Sequence, residues 1–182
     1  MSIPNIITSL RIILIPIIVI VFYLPVSWGN IAAASIFIIA ALSDWLDGYL
    51  ARKWDQHTAF GAFFDPVADK LIVSIVLVML VDEYANVWLT LSAMVVIGRE
   101  VVISALREWM AELGKRTSVA VSYVGKLKTT LQMIAIIILL FGEPGSTTAQ
   151  IGLFSMFIAA ALTLWSMFIY LKAAWPDLTS EM

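Results

Sequence analysis

Asp44-Trp45-Leu46-Asp47-Gly48-Tyr49-Leu50-Ala51-Arg52 and, eight residues later, Gly61-Ala62-Phe63-Phe64-Asp65-Pro66-Val67-Ala68-Asp69 set four carboxylates inside a chain that is otherwise strongly apolar. An acid at membrane depth costs about 3 kcal/mol, so four together need a purpose. On a helix turning about 100° per residue, Asp44 and Asp47 share one face, and so do Asp65 and Asp69. Two such pairs facing each other would form a cage of oxygen ligands. Mg²⁺ or Mn²⁺ suits that cage better than a softer metal, because cysteine is absent and the single histidine, His57, lies outside the pattern. Gly48 and Gly61 each lie four residues from an Asp, on the same face and one turn away. A bulky side chain at either place would crowd whatever the acids hold.

Working outward, the 182 residues are 62% hydrophobic and 13% charged, with a mean hydropathy of +0.97. That is too apolar for a soluble domain of this length and predicts an integral membrane protein. Apolar stretches of about 20 residues, enough for a core of roughly 30 Å, fall near 6–24, 30–51, 62–81, 86–110, 121–141 and 149–171. The sequence therefore predicts an all-α bundle of six transmembrane helices forming one domain over 1–182. The fifth helix could begin before or after Gly125. Pro16 interrupts the first apolar run and no small-residue cleavage site follows closely, so this run reads as a retained helix and not a leader.

The net charge of −2 argues against a nucleic-acid partner, but it hides an uneven distribution. Ten of the 11 basic residues fall towards one side of the threading, with Arg99 near mid-depth, while loops 25–29, 82–86 and 142–148 carry no Lys or Arg. By the positive-inside rule both termini are cytoplasmic, and the Asp44/Asp47 end of helix 2 meets the Asp65/Asp69 start of helix 3 at the cytoplasmic face. Trp28, Trp88 and Trp175 fall where helices meet the interface and read as anchors. Arg99 needs a partner, and because Glu100 is offset around the helix that partner is expected on another helix.

The full pattern, D-x₂-D-G-x₂-A-R-x₈-G-x₃-D-x₃-D, resembles the signature of the CDP-alcohol phosphatidyltransferases and matches it at every fixed position. Outside it, Pro4–Arg11, Gly98-Arg99-Glu100, Ser104–Lys115 and Gly125–Gln132 resemble the bacterial branch that makes phosphatidylglycerol phosphate. The resemblance covers nearly the whole chain. It implies transfer of the phosphatidyl group of CDP-diacylglycerol to the sn-1 hydroxyl of sn-glycerol 3-phosphate, releasing CMP, in a bacterial inner membrane with the active site facing the cytoplasm. It also implies a homodimer.

The residue roles follow from the resemblance. Asp44, Asp47 and Asp65 would be ligands of two divalent cations, and Asp69 a ligand and the base that takes the alcohol proton. Two such ions about 3.5–4 Å apart would neutralise the diphosphate and the leaving CMP. Asn5, Thr8, Gly48, Arg52 and Gly61 would meet CDP-diacylglycerol, with Arg11 also on the nucleotide side. Glycerol 3-phosphate is a dianion, and Arg107, Lys126 and Lys128 supply positive charge for it. Lys126 and Lys128 are about 200° apart on a regular helix, so both reach one phosphate only if the helix begins there or one of them snorkels.

Other readings remain open at this level. The same motif could serve another acceptor, such as serine, inositol phosphate or a second lipid. The four acids could instead be salt-bridged to Lys70 and Arg52, or mark a divalent-cation transporter, since acids in a bundle also line ion pathways. The acids cluster at one membrane face, however, and a pore would give Gly48, Ala51, Arg52 and Gly61 no role.

Overall fold

The computed structural model describes residues 3–54, 59–112 and 123–179. The side chains of some helical residues, among them Asn5, Asp47, Gly48, Arg52 and Lys126, lie outside that description, as does the whole of His57. The described residues form six helices: α1 Ile3–Tyr23, α2 Gly29–Trp54, α3 Ala59–Tyr84, α4 Val87–Glu112, α5 Tyr123–Phe141 and α6 Thr147–Thr179. Helix α5 starts before Gly125, which settles its open boundary. Helix α6 runs past its apolar stretch because nothing in Lys172-Ala173-Ala174-Trp175 stops a helix.

Helix α1 packs on α2 and α3, α5 on α6 and α2, and α4 on α3 and α6. All six contribute to one core, through Ile18, Phe37, Leu77, Leu89, Leu139 and Met156, each less than 2% exposed. The outside is apolar as well. Val78, Met94, Val101, Phe154, Trp165 and Phe168 are all more than half exposed. Helices that are apolar on both sides suit a lipid surround better than water.

By length and composition alone, the stretches Val87–Glu112 and Thr147–Lys172 are long and apolar enough to cross a membrane. Shorter apolar stretches run over Ile7–Tyr23, Gly29–Asp44 and Leu127–Phe141.

One end of the bundle is closed by local chemistry. Asn86 Oδ1 accepts from the backbone N–H of Trp88 at 2.9 Å and of Leu89 at 3.2 Å, capping α4. Tyr84 donates its hydroxyl towards the carbonyls of Leu139 and Gly142, both at 2.8 Å, tying α3 to the end of α5. A Cβ on Gly152 would meet Leu139 Cγ at 2.8 Å, so only glycine lets α6 approach α5 this closely. The seam between those helices is thereby fixed, and with it the wall that α5 and α6 present to the site.

Candidate active site

The charged end holds two neighbouring arrangements. In the first, Thr8 and Arg11, three apart on one face of α1, reach the acids of α2 and α3. Arg11 is 1% exposed. Its Nη1 lies 2.6 Å from Asp44 Oδ1 and its Nη2 3.9 Å from Asp65 Oδ1. Thr8 donates its hydroxyl to the same Asp65 oxygen. Asp44 and Asp65 remain partly exposed, so a buried cation faces two half-solvated carboxylates. Gly61 is buried at the start of α3.

The second arrangement is a cavity of about 390 Å³ between α3, α4, α5 and α6. Among its lining residues are the carboxylates of Asp69 and Glu100 and the cations of Lys70, Arg99, Arg107 and Lys128. Four positive groups face two negative ones, so the cavity favours anions. Lys70 donates to Ser104 Oγ, and Ser104 in turn donates to the Glu100 carbonyl at 2.6 Å. Arg107 donates from Nε to the Tyr170 hydroxyl at 3.1 Å.

Lys128 is 4% exposed and makes no hydrogen bond or ion pair among the described residues. The Nε of Arg99 is buried without a hydrogen-bond partner among them. Leaving such a buried donor unmet costs about 1–3 kcal/mol. A cavity lined by four cations and two carboxylates carries surplus positive charge and is shaped for an anion.

Asp69, Arg107 and Lys128 are thus brought to one cavity, while Thr8, Asp44 and Asp65 converge on Arg11. Asn5, Asp47, Gly48, Arg52 and Lys126 fall outside the described side chains. Among the described residues no three acidic or histidine side chains form a metal-holding cluster. The cation that joins Asp44 to Asp65 is a guanidinium of α1, where sequence reasoning weighed Lys70 and Arg52.

The expectation for Arg99 is corrected: its Nη1 pairs with Oε1 of Glu100, the adjacent residue. Both heads sit on long stems, so a 100° offset at the backbone does not keep them apart. Sequence reasoning also missed the contribution of α6. Ser166 and Tyr170 line the cavity. Thr163, Ser166 and Tyr170, spaced at i, i+3 and i+7 on an otherwise apolar helix, were the available signal.

A sequence model of the family described as CDP-alcohol phosphatidyltransferase matches residues 1–165. The chain belongs to this family. Similar proteins include one from Escherichia coli (strain K12) and one from Shigella flexneri serotype 5b (strain 8401), each named CDP-diacylglycerol--glycerol-3-phosphate 3-phosphatidyltransferase. Each is 56% identical over 180 residues, covering 99% of this chain and 98% of the relative. The chain is a transferase of phospholipid synthesis, and the transporter reading falls away.

Proposed function

We propose that this chain transfers the phosphatidyl group of CDP-diacylglycerol to the sn-1 hydroxyl of sn-glycerol 3-phosphate, giving phosphatidylglycerol phosphate and CMP. The observation that carries this reading is a single cavity holding both the Asp69 carboxylate and the cations Arg107 and Lys128. A phosphate seated on the cations would leave the far end of a three-carbon acceptor free to approach the carboxylate. Serine is a zwitterion with no net charge, so it would not offset the positive surplus of the cavity as a phosphate dianion does. Inositol phosphate would meet it, and identity with the named relatives favours glycerol 3-phosphate.

In this reading the acceptor hydroxyl oxygen bonds to the phosphatidyl phosphorus, the bond to the CMP oxygen breaks, and Asp69 takes the hydroxyl proton. Arg107, Lys128 and Lys126 hold the acceptor phosphate. Asn5, Thr8, Gly48, Arg52 and Gly61 form the CDP-diacylglycerol side, with the glycines leaving room for the nucleotide.

The donor chemistry fits hard divalent cations, since the available groups are carboxylate oxygens and Asp44 and Asp65 already converge on one positive charge. Asp44, Asp47, Asp65 and Asp69 would hold two such ions, Mg²⁺ or Mn²⁺. When bound, the ions would neutralise the diphosphate and the leaving group.

The charge asymmetry and the apolar exterior support six spans with both termini and the site on the cytoplasmic side of a bacterial inner membrane. Residues 1–182 act as one domain, and we place the chain in a homodimer. The test is CMP release by purified protein in detergent, with CDP-diacylglycerol and Mg²⁺ or Mn²⁺, offering glycerol 3-phosphate, serine, inositol and inositol phosphate in parallel. Release with glycerol 3-phosphate alone, abolished by EDTA and restored by metal, is expected. Preference for another acceptor would overturn the substrate assignment.

A further inference from the structure

Arg107 is exposed, and an exposed arginine with four rotatable side-chain bonds ordinarily samples many rotamers. Here two contacts with one residue of another helix hold it. Its Nε donates to the Tyr170 hydroxyl at 3.1 Å, and its guanidinium carbon lies 5.5 Å from the centroid of the Tyr170 ring. Neither contact is local, since the residues are 63 apart in sequence.

Tyr170 also lines the cavity, as do Ser166 and Ile169 from the same helix. The two Nη groups of Arg107 have no hydrogen-bonding partner among the described residues. A guanidinium has five N–H donors in a fixed fork, and a phosphate is best met by two of them in parallel. Occupying Nε fixes which edge of the fork remains for a ligand.

We infer that Tyr170 is a positioning residue of the acceptor site: by holding Arg107 through Nε and the ring face, it leaves the Nη pair for the phosphate of the acceptor. This inference rests on the function proposed above. It assigns to α6 a part in acceptor recognition, although the helix carries no charge within its apolar stretch.

The test is a double-mutant cycle on acceptor kinetics. Tyr170→Phe keeps the ring and removes the hydroxyl. It is expected to raise the glycerol 3-phosphate KM about fivefold, with the CDP-diacylglycerol KM unchanged and kcat within about twofold. In an Arg107→Ala background the same change is expected to add nothing, because there is no guanidinium left to position. Should the phenylalanine variant fail to fold, Tyr170→Trp, which also keeps a ring without the hydroxyl, takes its place with the same expectations.

An unchanged acceptor KM, an equal rise in both KM values, or additivity in the cycle would overturn the positioning role while leaving the transferase reading intact. If the wild type uses a different phosphorylated acceptor, the substrate assignment fails and the same cycle on that acceptor decides the role of Tyr170. If it uses only an uncharged acceptor, both fall.

Discussion

The two charged arrangements at this end of the bundle are built from the same residue types and behave oppositely. Around α1, Arg11 is buried and met by Asp44 and Asp65, with Thr8 closing on the second acid. Around α4 and α5, Lys128 is nearly as buried and makes no hydrogen bond or ion pair among the described residues. The first arrangement pairs its one buried cation with acids of two other helices and so ties three helices together. The second leaves cations over, and that surplus is what a ligand can use. Buried charge alone is weak evidence of function; buried charge without a partner, facing a cavity, is stronger.

The largest effect is expected at Asp69, where the cavity meets the chemistry. Asp69→Asn should lower kcat at least about 1,000-fold, within the range for loss of a general base. The protein should still fold and elute normally. Near-normal turnover would remove the base assignment.

Next comes Arg11→Met, which strips the counter-charge from two acids. It should cost about 3 kcal/mol of stability, the scale for breaking a buried ion pair, reduced somewhat by the partial exposure of the acids. Thermal melting in detergent would read it, and an unchanged midpoint would erase the contrast between the two regions.

Gly152→Ala lies in neither region and serves as the control. The new Cβ must displace the buried Leu139, at a cost of about 2 kcal/mol for overpacking. The melting temperature should fall with both KM values unchanged. A shift in the acceptor KM would show that the α5–α6 seam sets the cavity shape more directly than its packing suggests.

Smallest in energy, and the sharpest in sign, is Lys128→Met. The acceptor KM should rise about tenfold, or about 1.4 kcal/mol, while the CDP-diacylglycerol KM stays put. Stability should hold or increase, because an apolar side chain of similar length replaces an unmet buried ammonium. If the variant instead melts as early as Arg11→Met, Lys128 is structural and the two regions are alike.

Much of this was legible in the chain. Hydropathy placed six helices with ends within a few residues, apart from the extension of α6, because apolar runs of spanning length leave little choice of secondary structure. Of the residues the sequence singled out, Asp69, Arg107 and Lys128 line the cavity. What could not be read was which helix faces meet. Arg11 lies 33 residues from Asp44, and its role depends on how α1 crosses α2 and α3. Arg99 pairing with its neighbour reflects side-chain reach, which helical periodicity ignores. Tyr170 gave little signal in the sequence, since the polar stripe it belongs to is short and carries no charge.

On the proposed function, the surplus positive charge of the cavity binds the anionic end of the acceptor. The most direct measurement is the shift in melting temperature that glycerol 3-phosphate produces in detergent, compared between the wild type and Lys128→Met, with glycerol as the uncharged control. A ligand that binds the folded state must raise its stability with concentration. The account predicts a concentration-dependent rise for the wild type with glycerol 3-phosphate, none with glycerol, and a much smaller rise for Lys128→Met. Equal shifts in both proteins, or equal shifts with both ligands, would contradict it.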